Sequence, residues 1–260
     1  MARKILKKNL NIKFEPKWRG GSIDSKKTTE LIKPKHHSLG LVSEKFVAKM
    51  VKRLTLQGID DSVVLKAMTD IPRHFFVDSA LSSRAYEDTA LPIGYKQTIS
   101  QPYVVARVIT LARKLAGLLS HDKYNESKIL EIGTGCGYQA AVMSKCFNNV
   151  YSIERIFGLY EESRQRLSSM CENVHVRFGD GLKGWPEKGP FDAIIFSGCL
   201  EKIPTELLSQ IKIGGVMIMP IGKVAQNLVA LVKTGKSNTD VIKHVFDFVK
   251  YVPILTGVEK

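Results

Sequence analysis

The sequence predicts an α/β protein, a doubly wound and mostly parallel sheet with a helical extension on its N-terminal side. Three observations predict it. From Lys128 to Gly222 short apolar runs alternate with helical segments, the rhythm of successive βαβ units. A triple-glycine turn, in "ILEIGTGCGYQAA", separates the first of those strands from its helix. The 260 residues are 44% hydrophobic, enough for one sizeable core.

The helical extension comes first. From Val42 to Leu56, apolar Phe46, Val47, Met50, Val51 and Leu54 recur at helical spacing, and Gly58 stands where a C-cap belongs. A second helix, "DDSVVLKAMTDI", starts at Asp60 or Asp61 as N-cap and must end before Pro72. A long irregular, turn-rich stretch runs on to Gly94, and long ordered loops often carry function. After Pro102, "YVVARVITLARKLAGLL" reads as an amphipathic helix, and residues 120–127 as a polar connector. Then "KILEIG", "NVYSIE", "VHVRFGD" and "FDAIIFSG" read as strands, with helical "GYQAAVMSKCF" and "GLYEESRQRLSSMC" between them. "PTELLSQI" reads as the helical segment before the strand "GGVMIMPIG". The last runs, "NLVALVKT" and "VIKHVFDFVKYVPI", have no helix between them and predict an antiparallel finish at one sheet edge.

Charge is uneven. Residues 1–40 hold eleven Lys and Arg against three Asp and Glu, a net +8 of the formal +14. That leader reads as a disordered solvated arm, with a weak nucleic-acid or anionic-surface tether as the sharper alternative. No run of eighteen apolar residues exists, so no transmembrane helix is expected. The start lacks a continuous apolar core, which argues against a secretory signal, although its basic, acid-poor character is also that of an organelle transit peptide. Cys136, Cys146, Cys171 and Cys199 form no C-x-x-C pair and no zinc-like cluster with histidine, so reduced thiols in a cytoplasmic protein and no metal site are expected. His36–His37 reads as solvated tail, His74 as a packed loop histidine, and Cys136 has no catalytic role.

The glycine turn alone fits several nucleotide folds. A phosphate loop is excluded because no Gly-Lys-Ser/Thr follows. The surrounding acids narrow the choice. Glu131 lies inside the first strand's end, two residues before Gly133; it would repel a pyrophosphate and suit an ammonium group. Glu154 ends the second strand, where an acid binds a ribose diol. Asp180 follows the third strand and could bind an adenine amino group. Each alone is often a helix cap. Together, in register with the glycines, they point to S-adenosylmethionine.

"QTISQP", residues 97–102, poses a separate question. Ser100 could cap the helix after Pro102 or line a reaction site; the two are compatible, since a helix N-terminus favours anions.

With "PRHFFV", "RAYEDTALPIGYKQTISQP", "ILEIGTGCGYQAAV", "YSIERI", "GDGLKGWPEKGPFDAII" and "YVPILTG" in this order, the chain from Val42 to Thr256 resembles the protein-L-isoaspartate O-methyltransferase family. The resemblance implies a seven-stranded, Rossmann-like, S-adenosylmethionine-dependent methyltransferase domain over 41–260, with 41–120 on the substrate side and 128–260 holding the cofactor. It implies methylation of the free α-carboxylate of L-isoaspartyl residues in damaged proteins and peptides, leaving S-adenosylhomocysteine, with repair through a succinimide. It makes Ser100 the active-site residue, with Gln97, Thr98, Ile99 and Thr256 nearby. Gly133, Thr134, Gly135, Gly137, Arg155 and Gly181 join Glu131, Glu154 and Asp180 around the cofactor. A monomer without membrane contact is expected. The departure is "FSGCLEKIP", where Ser197, Gly198, Cys199 and Leu200 replace the small residues and proline usual after the fourth strand. The alternatives are an RNA methyltransferase, which the lack of an Asn/Asp-Pro-Pro-aromatic motif there opposes, and a non-catalytic nucleic-acid binder on a degenerate fold, which the intact glycines and acids oppose.

Overall fold

The computed structural model describes residues 40–119 and 125–260. The basic leader up to Leu39, His36–His37 and most of the 120–127 connector lie outside the described residues. Residues 40–260 form one compact unit.

Helix α1 spans Gly40–Leu56 and α2 spans Ser62–Asp70. Asp61 caps α2, its Oδ1 accepting from the Val63 and Val64 amides, while its Oδ2 meets Arg113 Nε at 2.7 Å. Arg113 also donates to the Cys146 carbonyl at 2.9 Å, so this buried ion pair ties α2 to α3 (Pro102–Leu115) and to the sheet layer. Its hydrogen bonds satisfy both charges, which burial otherwise penalises. The irregular stretch holds two 3-10 turns, Arg73–Phe76 and Ser79–Arg84, then a two-stranded hairpin of β1 (Leu91–Pro92) and β2 (Thr98–Ile99).

The main sheet has seven strands in the order β5-β4-β3-β6-β7-β8-β9. They are β3 Lys128–Ile132, β4 Asn149–Glu154, β5 Val174–Phe178, β6 Phe191–Phe196, β7 Ile211–Ile221, β8 Gln226–Lys233 and β9 Val241–Val249. Strands β3 to β7 pair in parallel. Only β8 runs against its neighbours, so β9 points the same way as the parallel set. The antiparallel finish is thus one reversed strand followed by a restored direction. Helices α4 (Tyr138–Ser144) and α5 (Phe157–Ser168) follow β3 and β4. The expected helix over "PTELLSQI" is a six-residue 3-10 turn, Thr205–Gln210. Strand β7 begins directly at Ile211, which leaves too little chain for an amphipathic helix.

Side chains along the central strands alternate between two apolar layers. Ile129, Ala193, Ile195 and Ile218 join the layer under the N-terminal helices. Leu130, Ile132, Ile194 and Phe196 join the other, with Leu207 and Leu208. Glu131 has the parity of the first layer and is fully buried. A carboxylate in that place costs stability unless something binds it.

Candidate active site

Strand β3 leads to β4 on one side and neighbours β6 on the other, so the carboxyl ends of β3, β4 and β6 frame the crevice at the topological switch point. A pocket of about 760 Å³, solvent at its mouth included, opens there. Its walls are the glycine turn, the tip of β4, the hairpin and the C-terminal segment.

Gly133, Gly135 and Gly137 have φ of +95°, +55° and +90°, values that side chains rarely adopt. They fold the chain back within one turn and start α4. Gly133 and Gly135 line the pocket with Thr134, whereas Gly137 faces Leu167, with its added Cβ meeting that side chain at 2.9 Å. Glu131 lies beneath this turn. Ser152 Oγ donates to Glu131 Oε2 at 2.6 Å, and Gln139 Nε2 donates to Oε1 at 2.9 Å. Ser197 Oγ reaches Oε1 at 3.3 Å, and Thr134 Oγ1 bonds Ser152 Oγ at 2.6 Å. Burial pushes the Glu131 carboxyl up to about 8, against the pull of these hydrogen bonds and with a further push from Glu154.

Glu154 also lines the pocket. Its Oε2 accepts from the Gly135 amide at 2.8 Å, and its Oε1 from the Arg155 and Ile156 amides at 2.8 and 2.9 Å. Oε2 keeps acceptor capacity, because each carboxylate oxygen has two lone pairs. Arg155 lines the pocket, but its guanidinium turns to the Gly257 carbonyl and Glu259. Asp180 does not line the cavity. Its Oδ1 caps the 3-10 turn Gly181–Lys183 through the Leu182 amide, and its Oδ2 accepts from the Gly257 amide at 2.8 Å. Gly181 lies against Ile132, which would collide with any Cβ there. Its glycine is a packing requirement of the β5 end.

The hairpin forms the opposite wall, with Gln97, Thr98, Ile99 and Ser100 all lining it. Its tip runs through Gly94, Tyr95 and Lys96 in the left-handed region, at φ +86°, +51° and +56°. Two consecutive non-glycine residues there cost energy that surrounding contacts must hold. The Tyr95 phenol is seated on Gly158 of α5, where a side chain would displace it. Ser100 does not cap α3. Gln101 holds that position without a side-chain hydrogen bond, and Pro102 opens the helix. What fixes Ser100 is Arg73, fully buried, which donates from Nη2 to the Ser100 carbonyl at 2.6 Å and from Nε to the Ala85 carbonyl at 2.7 Å. Its guanidinium lies 4.7 Å from the Tyr138 ring centroid. His74 bonds the Tyr86 hydroxyl through Nδ1 at 2.6 Å and lies outside the pocket lining.

The last wall is a strap. The Cys199 amide donates to the Val252 carbonyl, and the Ile254 amide to the Cys199 carbonyl, both at 2.8 Å. Val252 to Leu255 line the pocket, while Thr256 is exposed one residue beyond. The unusual Ser197–Leu200 segment is the dock of this strap: a Cβ on Gly198 would meet Ile254 Cδ1 at 2.6 Å. Spacing alone did not single out Arg73, Gln139, Ser152 or the strap. The departure at Ser197–Leu200 was the one sequence signal for the strap's dock.

The residues present fit S-adenosylmethionine. Gln139 directs Nε2 to Glu131 and Ser197, and its buried Oε1 has no partner. An orphaned acceptor beside a buried carboxylate is a site for an ammonium group. Glu154 offers an oxygen to a diol at the next strand tip, and the side-chain-free Gly133 and Gly135 leave room between them.

Residues 45–259 match the family described as Protein-L-isoaspartate(D-aspartate) O-methyltransferase (PCMT). The chain is 44% identical over 221 residues to protein-L-isoaspartate O-methyltransferase 1 of Marinobacter nauticus, covering 85% of this chain and 96% of that one. It is 46% identical over 224 residues to the Nitrosomonas europaea protein-L-isoaspartate O-methyltransferase, covering 86% and 97%. Its fold is similar to that of a Plasmodium falciparum structure described as a putative protein-L-isoaspartate O-methyltransferase in complex with S-adenosyl-L-homocysteine, with TM-score 0.66, 23% identity, and 80% and 97% of the two chains covered. The fold is that of S-adenosylmethionine-dependent methyltransferases, and the chain belongs to the protein-L-isoaspartate(D-aspartate) O-methyltransferase family.

Proposed function

We propose that this protein transfers a methyl group to the free α-carboxylate of L-isoaspartyl residues in damaged proteins and peptides, and that Ser100 positions that carboxylate. Bound S-adenosylmethionine supplies an electrophilic methyl group on a sulfonium. The acceptor, with a pKa near ~4, is already ionised at neutral pH, so no residue need remove a proton. The protein must hold the reacting atoms at about 3–3.5 Å in line and exclude water. Glu131, Gln139 Oε1 and Glu154 take the cofactor's ammonium and ribose. Ser100 donates its hydroxyl proton to one carboxylate oxygen and leaves the other to attack. The strap and the hairpin close the two sides. Without the protein, the backbone amide nitrogen of the following residue then attacks the ester carbonyl, methanol leaves and a succinimide forms, whose hydrolysis returns some normal aspartate.

One observation carries this reading. The pocket has an acceptor-rich floor for a cation and, facing it, a hairpin wall whose lining residues, Ile93, Gln97, Thr98, Ile99 and Ser100, offer two hydroxyls, one amide and aliphatic chains. That pairing suits a cationic donor and an acceptor that needs orientation only. Radiolabelled methyl transfer to an isoaspartyl peptide beside its aspartyl twin tests it. Base-labile label on the isoaspartyl peptide alone is expected; equal labelling of both, or label stable to base, overturns it.

The chain's other properties follow from sequence and edge chemistry. Residues 41–260 carry catalysis, and residues 1–40 serve as a basic arm with at most weak affinity for nucleic acid. A monomer is supported at β9, the sheet's edge, where Lys243 and Asp247 and a bulge opposite Leu228 discourage pairing with another copy. Four free, buried cysteines suit the cytoplasm. No helix among the described residues is long and apolar enough to cross a membrane.

A further inference from the structure

Among the described residues two arginines are buried, and the fold treats them differently. Arg113 is paired with Asp61 at 2.7 Å. Arg73 has no such partner: among the described residues no ion pair reaches it. It donates to two neutral carbonyls, those of Ala85 and Ser100, and its Nη1 is buried without a hydrogen-bond partner. Burial pulls its pKa down, yet a guanidinium keeps its proton in proteins. A buried charge without a counter-charge is costly. Holding carbonyls does not require that charge, because a neutral amide donor would serve.

The guanidinium stands directly behind the pocket wall. Ser100, whose carbonyl it holds at 2.6 Å, and Tyr138, whose ring centroid lies 4.7 Å away, both line the cavity. The lining itself lacks free positive charge. It contains two acids, Glu131 and Glu154, and one base, Arg155, whose guanidinium is paired with Glu259 at 3.0 Å. A carboxylate entering beside Ser100 therefore meets two acids on the floor and no unpaired cation in the lining. Arg73 supplies that charge from one residue behind, where burial protects its field from screening by salt.

We propose that Arg73 is a positioning and specificity residue for the acceptor: it holds the Ser100 backbone by its carbonyl, and its unpaired charge makes the hairpin side of the pocket select an anionic acceptor over a neutral one. The inference rests on the acceptor site beside Ser100 proposed above. It accounts for a charged side chain at a place where packing alone favours a neutral one. It also makes the choice of acceptor a matter of charge and not only of shape.

Calorimetry in the presence of S-adenosylhomocysteine tests it. That product lacks the sulfonium charge, so the peptide meets the protein's own charges. Two peptides are compared: an isoaspartyl peptide and its α-carboxamide twin, nearly the same in shape and without the negative charge. The native protein is expected to bind the first at least roughly tenfold more tightly, the scale of an interaction with a charged group. Arg73→Gln keeps a donor for a carbonyl and removes the charge. It should weaken the isoaspartyl peptide about tenfold and the carboxamide by no more than about twofold, with S-adenosylhomocysteine affinity nearly unchanged. Arg73→Lys keeps the charge and should keep the preference. If the native protein binds the two peptides alike, or if Arg73→Gln weakens both alike, Arg73 only builds the wall and the inference fails. Should Arg73→Gln not fold, Arg73→Lys decides, a kept preference supporting the charge and a lost one overturning it. If the native protein methylates no isoaspartyl peptide, the function proposed above fails first and takes this inference with it.

Discussion

The two halves of the pocket are built by different means. The donor half is nearly continuous in sequence: Glu131 to Gln139, with Ser152 and Glu154 from the adjacent strand. Its geometry follows from a strand, a turn that only glycine accommodates and a helix start. The acceptor half gathers Gln97 to Ser100, Ser197 to Leu200 and Val252 to Leu255, and each contact crosses a large sequence separation. Arg73 to Ser100, Cys199 to Val252, Ile254 to Cys199 and Gly257 to Asp180 hold it. Local geometry is hard to dislodge with one substitution. An assembly of single long-range hydrogen bonds opens at lower cost. The donor half should therefore fail by losing ligand chemistry, and the acceptor half by losing alignment.

The sharpest break is Ser100→Ala. We expect kcat to fall about a hundredfold, the loss seen when one positioned donor is removed from a reacting oxygen. Affinity for S-adenosylhomocysteine by calorimetry should stay within about twofold. Melting temperature should hardly move, since Gln101 and not Ser100 occupies the helix cap. A fall in melting temperature with activity retained would return Ser100 to a structural role.

The donor half should answer to pH instead. Glu131 is raised from 4.5 to about 8, so at pH 6 it is mostly protonated, and an ammonium ligand must draw out its ionised form. S-adenosylhomocysteine affinity is expected to rise by up to roughly tenfold per pH unit from 6 to 7.5. Glu131→Gln should flatten that dependence and lower the affinity at its upper end. The ligand-free protein shows the opposite sign. The folded state holds this proton more tightly than the unfolded chain, so stability falls as pH climbs from 4.5 to about 8. Glu131→Gln should remove that slope as well, which thermal melts across the range would read.

This contrast also marks what was legible in the sequence. The glycine spacing, the strand-end acids and the βαβ rhythm are local patterns, and each strand read from them lies in the sheet. The turn at Thr205–Gln210 was misread because "TELLSQ" has helical composition and the length available decides otherwise. Arg73 looks like an ordinary residue, since its role exists only once distant segments meet. The capping choice at Ser100 was likewise settled by backbone geometry one residue on.

The strap can be loosened without touching either ligand. Gly198→Val puts a side chain where Ile254 Cδ1 lies 2.6 Å and the Val252 carbonyl 3.1 Å from the nearest Cβ position. Ile254 can turn aside, but the Val252 carbonyl is backbone, so the strap must shift. Hydrogen exchange at the Ile254 amide should accelerate, and peptide KM should rise about threefold to tenfold, one long-range bond's worth. Affinity for S-adenosylhomocysteine should change less. If cofactor affinity falls as much as peptide affinity, the strap belongs to both halves.

Asp180 decides where the boundary between the halves runs. Its two oxygens are divided between them, one capping the turn after β5 and the other holding Gly257 of the strap. Asp180→Asn keeps a good cap, because asparagine caps as well as aspartate. Its amide group, set toward Gly257, would present a donor to a donor unless it flipped, and flipping would give up the cap. Asp180→Ala loses both contacts and should cost about 1 kcal/mol through the cap. Matched melts therefore separate the functions. Asparagine should melt close to the native protein while exchange at the Gly257 amide accelerates, and alanine should show both effects. Should either variant lower S-adenosylhomocysteine affinity tenfold or more, Asp180 would be a cofactor residue as its strand position first indicated, and the Gly257 bond would have to open for the cofactor to bind.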